Sequence, residues 1–394
     1  LPEVPLLAVL PGTGGLTRIT DKRKLRRDRA DVFCSTEEGI KGKRAKEWGL
    51  VDEVIANSTF EKTVTRRALE FASSSKKADV KQGIILGPLT KSIADDGSLN
   101  YSTVQVSLNR TARTATITLT GPDEAAPLDI ANFEAQGDQS YLLRMARELD
   151  DAILHLRLNE TKAGLWIFRT QGDPQILAAH ERLLIQNIDN WLANEVRQYL
   201  KRVLKRIDVT SRSMVALIEH GSCFNGVFAE LLFAVDRSYM MEDEFENDLR
   251  PMATITITDD NFGTYKMANG LSRIETRFWG TPNLVEAAKK KIGQPLEAVM
   301  ANDLGLVTVI LDDIDWEDEI RIFIEERASF SPDAMTGMEA NLRFVGPETM
   351  ETRIFGRLTA WQNWIFIRPN AVGPDGALQR YGSGKRGNYN MDRV

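Results

Sequence analysis

Apolar and polar positions alternate along the middle of the chain in a way that predicts strands and helices in turn. The stretch 113–121 (RTATITLTG) has the two-residue period of a strand. Two apolar runs, 163–172 and 214–221, are predicted to be buried strands on either side of a helix-forming stretch, 180–207. The segment 141–157 places apolar residues on one helical face: Leu142, Met145, Ala146, Leu149, Ile153 and Leu156. This alternation predicts an α/β fold with helices packed on the faces of a sheet.

The pattern changes near Trp316, where amphipathic segments begin to follow one another. The segments 314–330 and 350–366 both have the helical period, which predicts a helical layer at this end of the chain. The stretch 381–394 (YGSGKRGNYNMDRV) is rich in Gly and Asn and is predicted to be an exposed tail. Residues 73–101 mix Ser, Lys, Asp and Gly and are predicted to be a linker.

Two short sequences recur in the same order. GGLTRI at 14–19 recurs as NGLSRI at 269–274, and EWGLV at 47–51 recurs as DLGLV at 303–307, with offsets of 255 and 256 residues. Nearly equal offsets indicate repeated units. We therefore expect the last part of one unit followed by a whole second unit. The absence of an initiator Met fits a first unit whose beginning lies upstream, so this segment by itself is expected to be inactive.

Composition excludes several classes of function. With 394 residues and 42% hydrophobic residues, the chain is large enough for two or three cores. Its net charge of −6 opposes general nucleic-acid binding, which requires a basic surface. No apolar run is long enough to span a bilayer and no secretory signal is present, so we expect a cytoplasmic protein. Cys34 and Cys223 lie outside any Cys-x-x-Cys spacing and are expected to be reduced and buried.

Metal and phosphate sites find little support in the sequence. His155, His180 and His220 lack the spacing of metal ligands, so we expect no metal. The basic run 21–29 (DKRKLRRDR) could meet a phosphorylated ligand, but a solvated helix face is the favoured interpretation.

The glycine-rich loop 11–15 (PGTGG) is the most distinctive local feature near Leu1. It lacks the Gly-Lys of a phosphate loop, and Thr17 stands where a dinucleotide-binding fingerprint requires its last Gly. Consecutive glycines allow a close backbone approach, and the helix predicted to follow them would offer free N–H groups to an anionic atom. The loop therefore suits a developing oxyanion or a tightly held substrate.

These residues carry a resemblance to a known family. Pro2-Glu3, the loop 11–15, Arg18-Ile19 and AKEWGLV at 45–51 resemble the C-terminal half of a crotonase (enoyl-CoA hydratase/isomerase) domain. Long stretches also resemble the ring-cleaving lyases of that superfamily, namely 21–42, 219–240 and 356–378. The resemblance covers nearly the whole chain.

The resemblance implies a crotonase fold in tandem units with a helical C-terminal layer. Residues 1–80 would be the C-terminal part of a first unit and residues 81–325 a second, diverged unit. Residues 326–394 would form a helical extension and tail. Family members of this kind are oligomeric, so a homo-oligomer is expected, with a dimer favoured.

The implied substrate is an acyl-CoA, and coenzyme A enters only as part of it, so no separate cofactor is expected. In crotonases two backbone N–H groups hold the thioester oxygen, and carboxylates move protons. By this resemblance Glu3 is the catalytic carboxylate, and the substrate-binding residues are Pro11, Gly12, Thr13 and Gly14. The distance along the chain from Glu3 to Pro11 is one residue longer than is usual in the family.

The second unit departs further from the family pattern. Glu230 matches a catalytic position, but Tyr265 and Lys266 stand where its partner carboxylate is expected, and Gly226–Phe228 replace a run of glycines. We therefore expect a degenerate second pocket in which Glu230 is structural, satisfied by backbone N–H groups.

The implied activity is ring cleavage of an aromatic-derived acyl-CoA, the epoxide or dihydrodiol of benzoyl-CoA, to a semialdehyde thioester and formate. Two alternatives remain open at this point. An ordinary enoyl-CoA hydratase would add water without loss of carbon, and a non-catalytic scaffold would serve only oligomerisation.

Overall fold

The computed structural model describes residues 3–75, 83–242 and 250–393. The chain divides into two compact units, Leu1–Gly83 and Ile84–Val394, and each is described by itself. The finer boundaries expected from the sequence, at residues 80 and 325, remain predictions. Within the described ranges, no helix is both long enough and apolar enough to cross a bilayer.

The first unit consists of short helices around a small core. Its helices are α1 (Glu3–Leu7), α2 (Gly15–Asp21), α3 (Arg27–Ser35), α4 (Gly42–Glu47) and α5 (Phe60–Ser73). Helices α1 and α2 both pack on α3. The buried apolar residues are Leu25, Ala30, Cys34 and Ala45.

An eight-stranded sheet organises the second unit. In chain order its strands are β1 (Ser92–Ile93), β2 (Leu99–Asn100), β3 (Val104–Asn109), β4 (Thr114–Thr120), β5 (Leu165–Gln171), β6 (Ser213–Ile218), β8 (Arg237–Met241) and β11 (Val309–Leu311). The strands β4, β5, β6, β8 and β11 run parallel in that order. A smaller sheet pairs β7 (Phe224–Asn225), β9 (Ile255–Thr256) and β10 (Pro295–Leu296).

The helices of the second unit include some on each face of the large sheet. They are α6 (Ile130–Gln136), α7 (Tyr141–Asn159), α8 (Pro174–Gln186), α9 (Trp191–Asp208), α10 (Val227–Ala234), α11 (Arg273–Arg277), α12 (Pro282–Lys289), α13 (Ala298–Asp303), α14 (Asp313–Ser329), α15 (Pro332–Leu342), α16 (Met350–Arg353), α17 (Thr359–Ile365), α18 (Pro369–Val372) and α19 (Ala377–Arg380). A π-helical turn, Ile354–Leu358, joins α16 to α17.

Alternate side chains of the central strands pack into different cores, as the strand period requires. In β5, Trp166 and Phe168 enter the large core that includes α7, α9 and α10. Leu165 and Ile167 enter the opposite core, against Trp316 and other residues of α14. Burial on both faces explains why β5 and β6 are continuous apolar runs in the sequence.

The internal repeat has a structural counterpart. Four helices recur in the same order: α2, α3, α4 and α5 in the first unit correspond to α11, α12, α13 and α14 in the second. Both copies of the Gly-Leu-Val sequence end a helix in the same way, with Gly49 at φ 74° and Gly305 at φ 69°. In each copy the next N–H bonds a carbonyl five residues back, Leu50 to Ala45 and Leu306 to Ala301, as in a Schellman cap.

Two expectations from the sequence need correction. The predicted helix 180–207 is two helices, because Asn190 ends the turn between them and caps α9 by accepting from the N–H groups of Leu192 and Ala193 at 3.0 and 3.1 Å. The predicted linker 73–101 contributes β1 and β2 to the large sheet, with Leu99 fully buried. Residues 76–82 of that stretch lie outside the described residues.

The predicted tail is also wrong at its far end, because Arg393 is buried. Its backbone N–H donates to the Thr161 carbonyl at 3.0 Å, and its guanidinium binds Glu339 of α15. Asp392 accepts from the Thr161 hydroxyl at 2.8 Å. The last described residues therefore form a strap along the second unit rather than a free tail.

Buried ion pairs attach the helical layer to the sheet. Arg343 donates to both carboxylate oxygens of Asp236, at 2.9 and 2.7 Å, and to the carbonyls of Thr210 and Arg212 at 2.5 and 2.6 Å. Asp236 immediately precedes β8 and also accepts from the N–H of Met214 in β6 at 2.8 Å. One arginine thus joins the end of α15 to the start of two strands.

The helix cap at Gly305, whose geometry both copies of the repeat share, gives a testable prediction. Gly305→Ala and Gly293→Ala both place a side chain at positive φ, which costs about 1–2 kcal/mol. A Cβ on Gly305 would also lie 3.0 Å from the buried ring of Phe278, whereas nothing lies within 4 Å of a Cβ on Gly293. We expect urea unfolding to show roughly 1–3 kcal/mol of additional loss for Gly305→Ala. Equal losses in the two variants would contradict the role of Phe278.

Candidate functional site

The glycine loop of the first unit lies where the sequence places it, directly before a helix. Gly14 has φ 100° and is the N-cap residue of α2, and the N–H groups of Gly14 and Gly15 both donate to the Pro11 carbonyl, at 3.0 and 3.2 Å. The loop is therefore a tight turn that depends on the positive φ of Gly14. A Cβ on Gly12 would meet nothing within 4 Å, so that position is open.

Glu3 is the first residue of α1. Its Oε2 atom is buried and has no hydrogen-bond partner among the described residues, and its carbonyl accepts from the N–H of Val9 at 3.1 Å. No hydrogen bond in the described part of the unit joins the Glu3 side chain to residues 11–14. A buried carboxylate oxygen without a partner has the capacity to accept a proton or a hydrogen bond from a ligand.

In the second unit, glycines follow the carboxyl ends of the parallel strands β4 and β5. Ligands of α/β sheets bind at this edge. Here the N–H of Gly121, after β4, donates to the Gln171 carbonyl of β5 at 2.7 Å. A Cβ on Gly172 would lie 3.0 Å from Gly121, so the two glycines bring the ends of β4 and β5 into direct contact.

Glu230 is held in a buried network of side chains. Its Oε2 accepts from Arg273 Nη1 at 2.6 Å and its Oε1 accepts from Asn261 Nδ2 at 2.8 Å. Arg273 makes two further bonds to the Asp208 carboxylate, at 3.0 and 2.8 Å. The prediction that backbone N–H groups satisfy Glu230 is wrong. Its partners are the side chains of Arg273 in α11 and of Asn261 in the turn Asp259–Phe262.

The arginine in this network remains charged. Burial lowers the pKa of Arg273, but the carboxylates of Asp208 and Glu230 outweigh burial and raise the pKa above its ordinary value. Arg273 and Glu230 are each only 1% exposed. A buried ion pair of this kind is strongly destabilised when one partner is removed. With every oxygen engaged, Glu230 has no free atom to offer a substrate.

The structure also reveals an unpartnered buried carboxyl, Glu181, which the sequence analysis did not single out. Glu181 lies in α8 and is 3% exposed, and neither of its oxygens has a hydrogen-bond partner among the described residues. Burial raises the pKa of Glu181 well above its usual range, and the nearby Asp260 raises it further. Its spacing offered a signal, because Leu177, Glu181 and Leu184 share one helical face that is otherwise apolar.

Glu181 packs against the N-terminus of α10. A Cβ on Gly226 would overlap its Oε2, so glycine at φ 52° is required there. The N–H of Val227, the first residue of α10, is close enough to favour the charged form of the carboxyl. The N-terminus of a helix favours a nearby negative charge, but burial and Asp260 have the larger effect and raise the pKa of this carboxyl. The Glu181 side chain therefore occupies this helix end.

Other polar atoms near Glu181 are also unpartnered. They include Asp260 Oδ2 and Asn225 Oδ1, both on residues at least 95% buried. Burial raises the pKa of Asp260 and raises that of Tyr265 well above its ordinary value. Among the described residues no group of three or more His, Cys, Asp or Glu side chains is placed to hold a metal ion. The described residues around Glu181 therefore form a cluster of buried acidic and polar side chains rather than a metal site.

The basic run of the first unit is exposed. Arg26 pairs with Asp28 at 2.6 Å, and Arg23 pairs with Asp52 at 2.9 Å. The four side chains are between 38% and 67% exposed. Pairs of this kind contribute little to stability in water.

The raised pKa of Glu181 predicts a pH-dependent stability. The folded protein holds this proton at pH values where the unfolded chain has released it, so stability falls as pH rises above about 4.3 toward the raised folded pKa. Glu181→Gln removes that loss. Relative to the unmodified protein, we expect the variant to gain about 1.4 kcal/mol per pH unit within this window, measured by urea unfolding between pH 5 and 8.

Glu148→Gln is the matched control for that experiment. Glu148 is equally buried, but it accepts from the N–H and hydroxyl groups of Ser102 and Thr103. Its amide variant places donors against donors and should be less stable at every pH tested. If Glu181→Gln is destabilised to the same extent as Glu148→Gln at pH 8, Glu181 is charged in the folded protein.

Glu230→Gln tests the structural role of the buried network. The substitution leaves Arg273 with one charged partner instead of two, so we expect a loss of roughly 3–5 kcal/mol in the free energy of unfolding. Turnover per folded molecule should stay within a few-fold of that of the unmodified protein. A variant with unchanged stability and a thousandfold lower turnover would show that Glu230 is catalytic.

Comparison with known proteins identifies the chain's relatives. No protein-family model matches it. A benzoyl-CoA-dihydrodiol lyase from Aromatoleum evansii is 50% identical over 394 residues, which is 100% of this chain and 70% of that protein.

Solved structures identify the fold. An enoyl-CoA hydratase from Geobacillus kaustophilus matches with a TM-score of 0.52 at 14% identity, over 75% of this chain and 98% of that one. One from Bacillus anthracis matches with a TM-score of 0.51 at 15% identity, over 74% and 100%. These likenesses confirm the expected crotonase fold. With 50% identity over its whole length, the chain belongs to the benzoyl-CoA-dihydrodiol lyase family.

Proposed function

We propose that this chain provides ring-cleaving lyase activity on an aromatic-derived acyl-CoA in aerobic benzoate degradation. The substrate would be the epoxide or dihydrodiol of benzoyl-CoA, opened with water to 3,4-dehydroadipyl-CoA semialdehyde and formate. The 50% identity to a benzoyl-CoA-dihydrodiol lyase over all 394 residues carries this proposal. No part of the chain lies outside that similarity.

Under this proposal the chemistry belongs to the first unit. Glu3 has a buried carboxylate oxygen with no partner, which suits a group that moves a proton during attack on the bound thioester. The tight turn at Pro11, Gly12, Thr13 and Gly14 would place backbone against the substrate. Neither step requires a metal or a redox cofactor.

The geometry of the second unit supports the assignment of the chemistry to the first unit. Its Glu230 is fully engaged by Arg273 and Asn261, and the N-terminus of α10 is occupied by Glu181. The unit therefore offers no free carboxylate at the position that the family uses for catalysis. We propose that it stabilises the protein and takes no part in turnover.

An enoyl-CoA hydratase is the second candidate. Only the fold favours it, at 14–15% identity to the solved hydratases. The two activities differ in their products, because a hydratase conserves every carbon of its substrate and the lyase releases formate. Formate in the product mixture therefore distinguishes them.

We also propose a cytoplasmic homo-oligomer, most simply a dimer. Neither α16, the following π-helical turn nor α17 contains a buried residue, and Phe355 and Ile367 are 74% and 75% exposed. Apolar surface of this extent is typical of interfaces. Cys34 and Cys223 are both free, as expected in a reducing compartment. Sedimentation of the purified protein measures the oligomeric state.

Glu3→Gln tests the catalytic assignment. The protein is expressed from its complete reading frame and assayed for formate release from the benzoyl-CoA epoxide. The amide keeps the shape but cannot transfer the proton, so we expect turnover to fall by roughly 100- to 10,000-fold while acyl-CoA affinity changes little.

Glu38→Gln is the matched control, because Glu38 is an exposed carboxylate of the same unit. It should leave turnover unchanged. Formate release by Glu3→Gln within a few-fold of that of the control would place the chemistry on other residues.

A further inference from the structure

A cavity of about 680 Å³ lies in the second unit, away from the acids around Glu181. Its walls include the hairpin loop between β3 and β4, the residues just after α7, and the C-terminal strap. The lining residues used below are Arg110, Arg113, Glu160, Lys162, Tyr389 and Met391. A volume of this size is typical of sites for small ligands.

The cavity lies at the amino ends of the strands β4 and β5, opposite their carboxyl ends. Two of its lining residues, Thr114 and Ala163, mark its position. Thr114 is the first residue of β4, and Ala163 lies two residues before β5 begins at Leu165, so the cavity lies at the amino ends of these strands. Gly121 and Gly172 follow the carboxyl ends of the same two strands. The cavity is therefore separate from the edge at which ligands of α/β sheets usually bind.

The cavity has an excess of positive charge. Arg110 is neutralised by Glu160 at 2.6 Å. Lys162 has no carboxylate partner among the described residues, and the guanidinium of Arg113 bonds only the Ala328 carbonyl there. The Nε atom of Arg113 is buried without any partner in the described part of the chain. Two cations, Arg113 and Lys162, are thus left to bind an anion.

Arg113 holds its position at a cost in backbone conformation. Its φ is 57°, in the left-handed region, and it is one of three such residues other than glycine in the described ranges. The hairpin loop needs positive φ at this position, where glycine is the residue of lowest strain. Strained residues that persist in place of glycine are typical of binding sites. The strained backbone at Arg113 therefore indicates that its side chain has a use in this cavity.

The strap forms an apolar and aromatic wall of the same cavity. Tyr389 and Met391 line it, and Asp392 and Arg393 anchor the strap to Thr161 at 2.8 and 3.0 Å. Leu108 adds apolar surface from β3. The cavity thus offers two free cations beside a partly apolar wall.

We propose that this cavity binds a small organic anion, a carboxylate or phosphate monoester with an apolar body. The anionic group would lie between Arg113 and Lys162, and the body would lie against Tyr389 and Met391. None of the residues that line the cavity is assigned a part in the proposed lyase reaction.

Calorimetric titration of the purified protein with benzoate, phenyl phosphate and inorganic phosphate tests the proposal. We expect benzoate or phenyl phosphate to bind with a dissociation constant below about 1 mM and a stoichiometry of one per chain. Arg113→Gly and Lys162→Ala should each weaken binding at least tenfold. Arg113→Gly relieves the backbone strain, so thermal unfolding should show that it still folds.

Lys290→Ala is the control, because Lys290 is an exposed lysine that does not line the cavity, and its loss changes the net charge equally. It should leave the affinity unchanged. Absence of binding by both organic anions, or equal affinity in Lys162→Ala and Lys290→Ala, would overturn the proposal. Inorganic phosphate bound as tightly as phenyl phosphate would overturn the role of the apolar wall.

Discussion

The second unit depends on the buried ion pairs that Arg273 of α11 makes with two carboxylates. Arg273 joins Asp208, at the end of α9, to Glu230 in α10, and its Nη1 also donates to the Tyr265 carbonyl at 2.9 Å. Three segments distant in sequence are thereby fixed around one charge. Because the charge is removed from water, the arrangement is stable only while both carboxylates are present. This constraint explains why Glu230 cannot act as a free base here.

The N-terminus of α10 is covered by a carboxyl from another helix of the same unit. Glu181 comes from α8, and Gly226 provides the space for its carboxyl. The carboxyl has no hydrogen-bond partner among the described residues, so the neutral acid is the form that burial favours. The Arg273 ion pairs and the Glu181 carboxyl are thus both buried inside the second unit. The proposed chemistry is accordingly assigned to Glu3 and the glycine turn of the first unit.

The sequence predicted the parts of the fold that depend on local pattern. The strand at 113–121, the helix at 141–157 and the apolar strands β5 and β6 were all found, because continuous apolar runs and helical periods are read directly from residue order. The single helix expected at 180–207 was wrong because one capping side chain, Asn190, divides it. The expected linker was wrong because its polar composition conceals Leu99, whose burial depends on strand pairing with β3.

The repeat shows most clearly what residue order determines. Gly49 and Gly305 end their helices with the same backbone conformation, because a Schellman cap requires only local residues. The arginines of GGLTRI and NGLSRI differ completely: Arg18 is exposed and Arg273 is buried. The sequence by itself determined the repeat, the helix at 141–157 and the family. Only the tertiary structure decided which charges are buried, because the partners of Arg273 and the neighbours of Glu181 come from helices far apart in the chain.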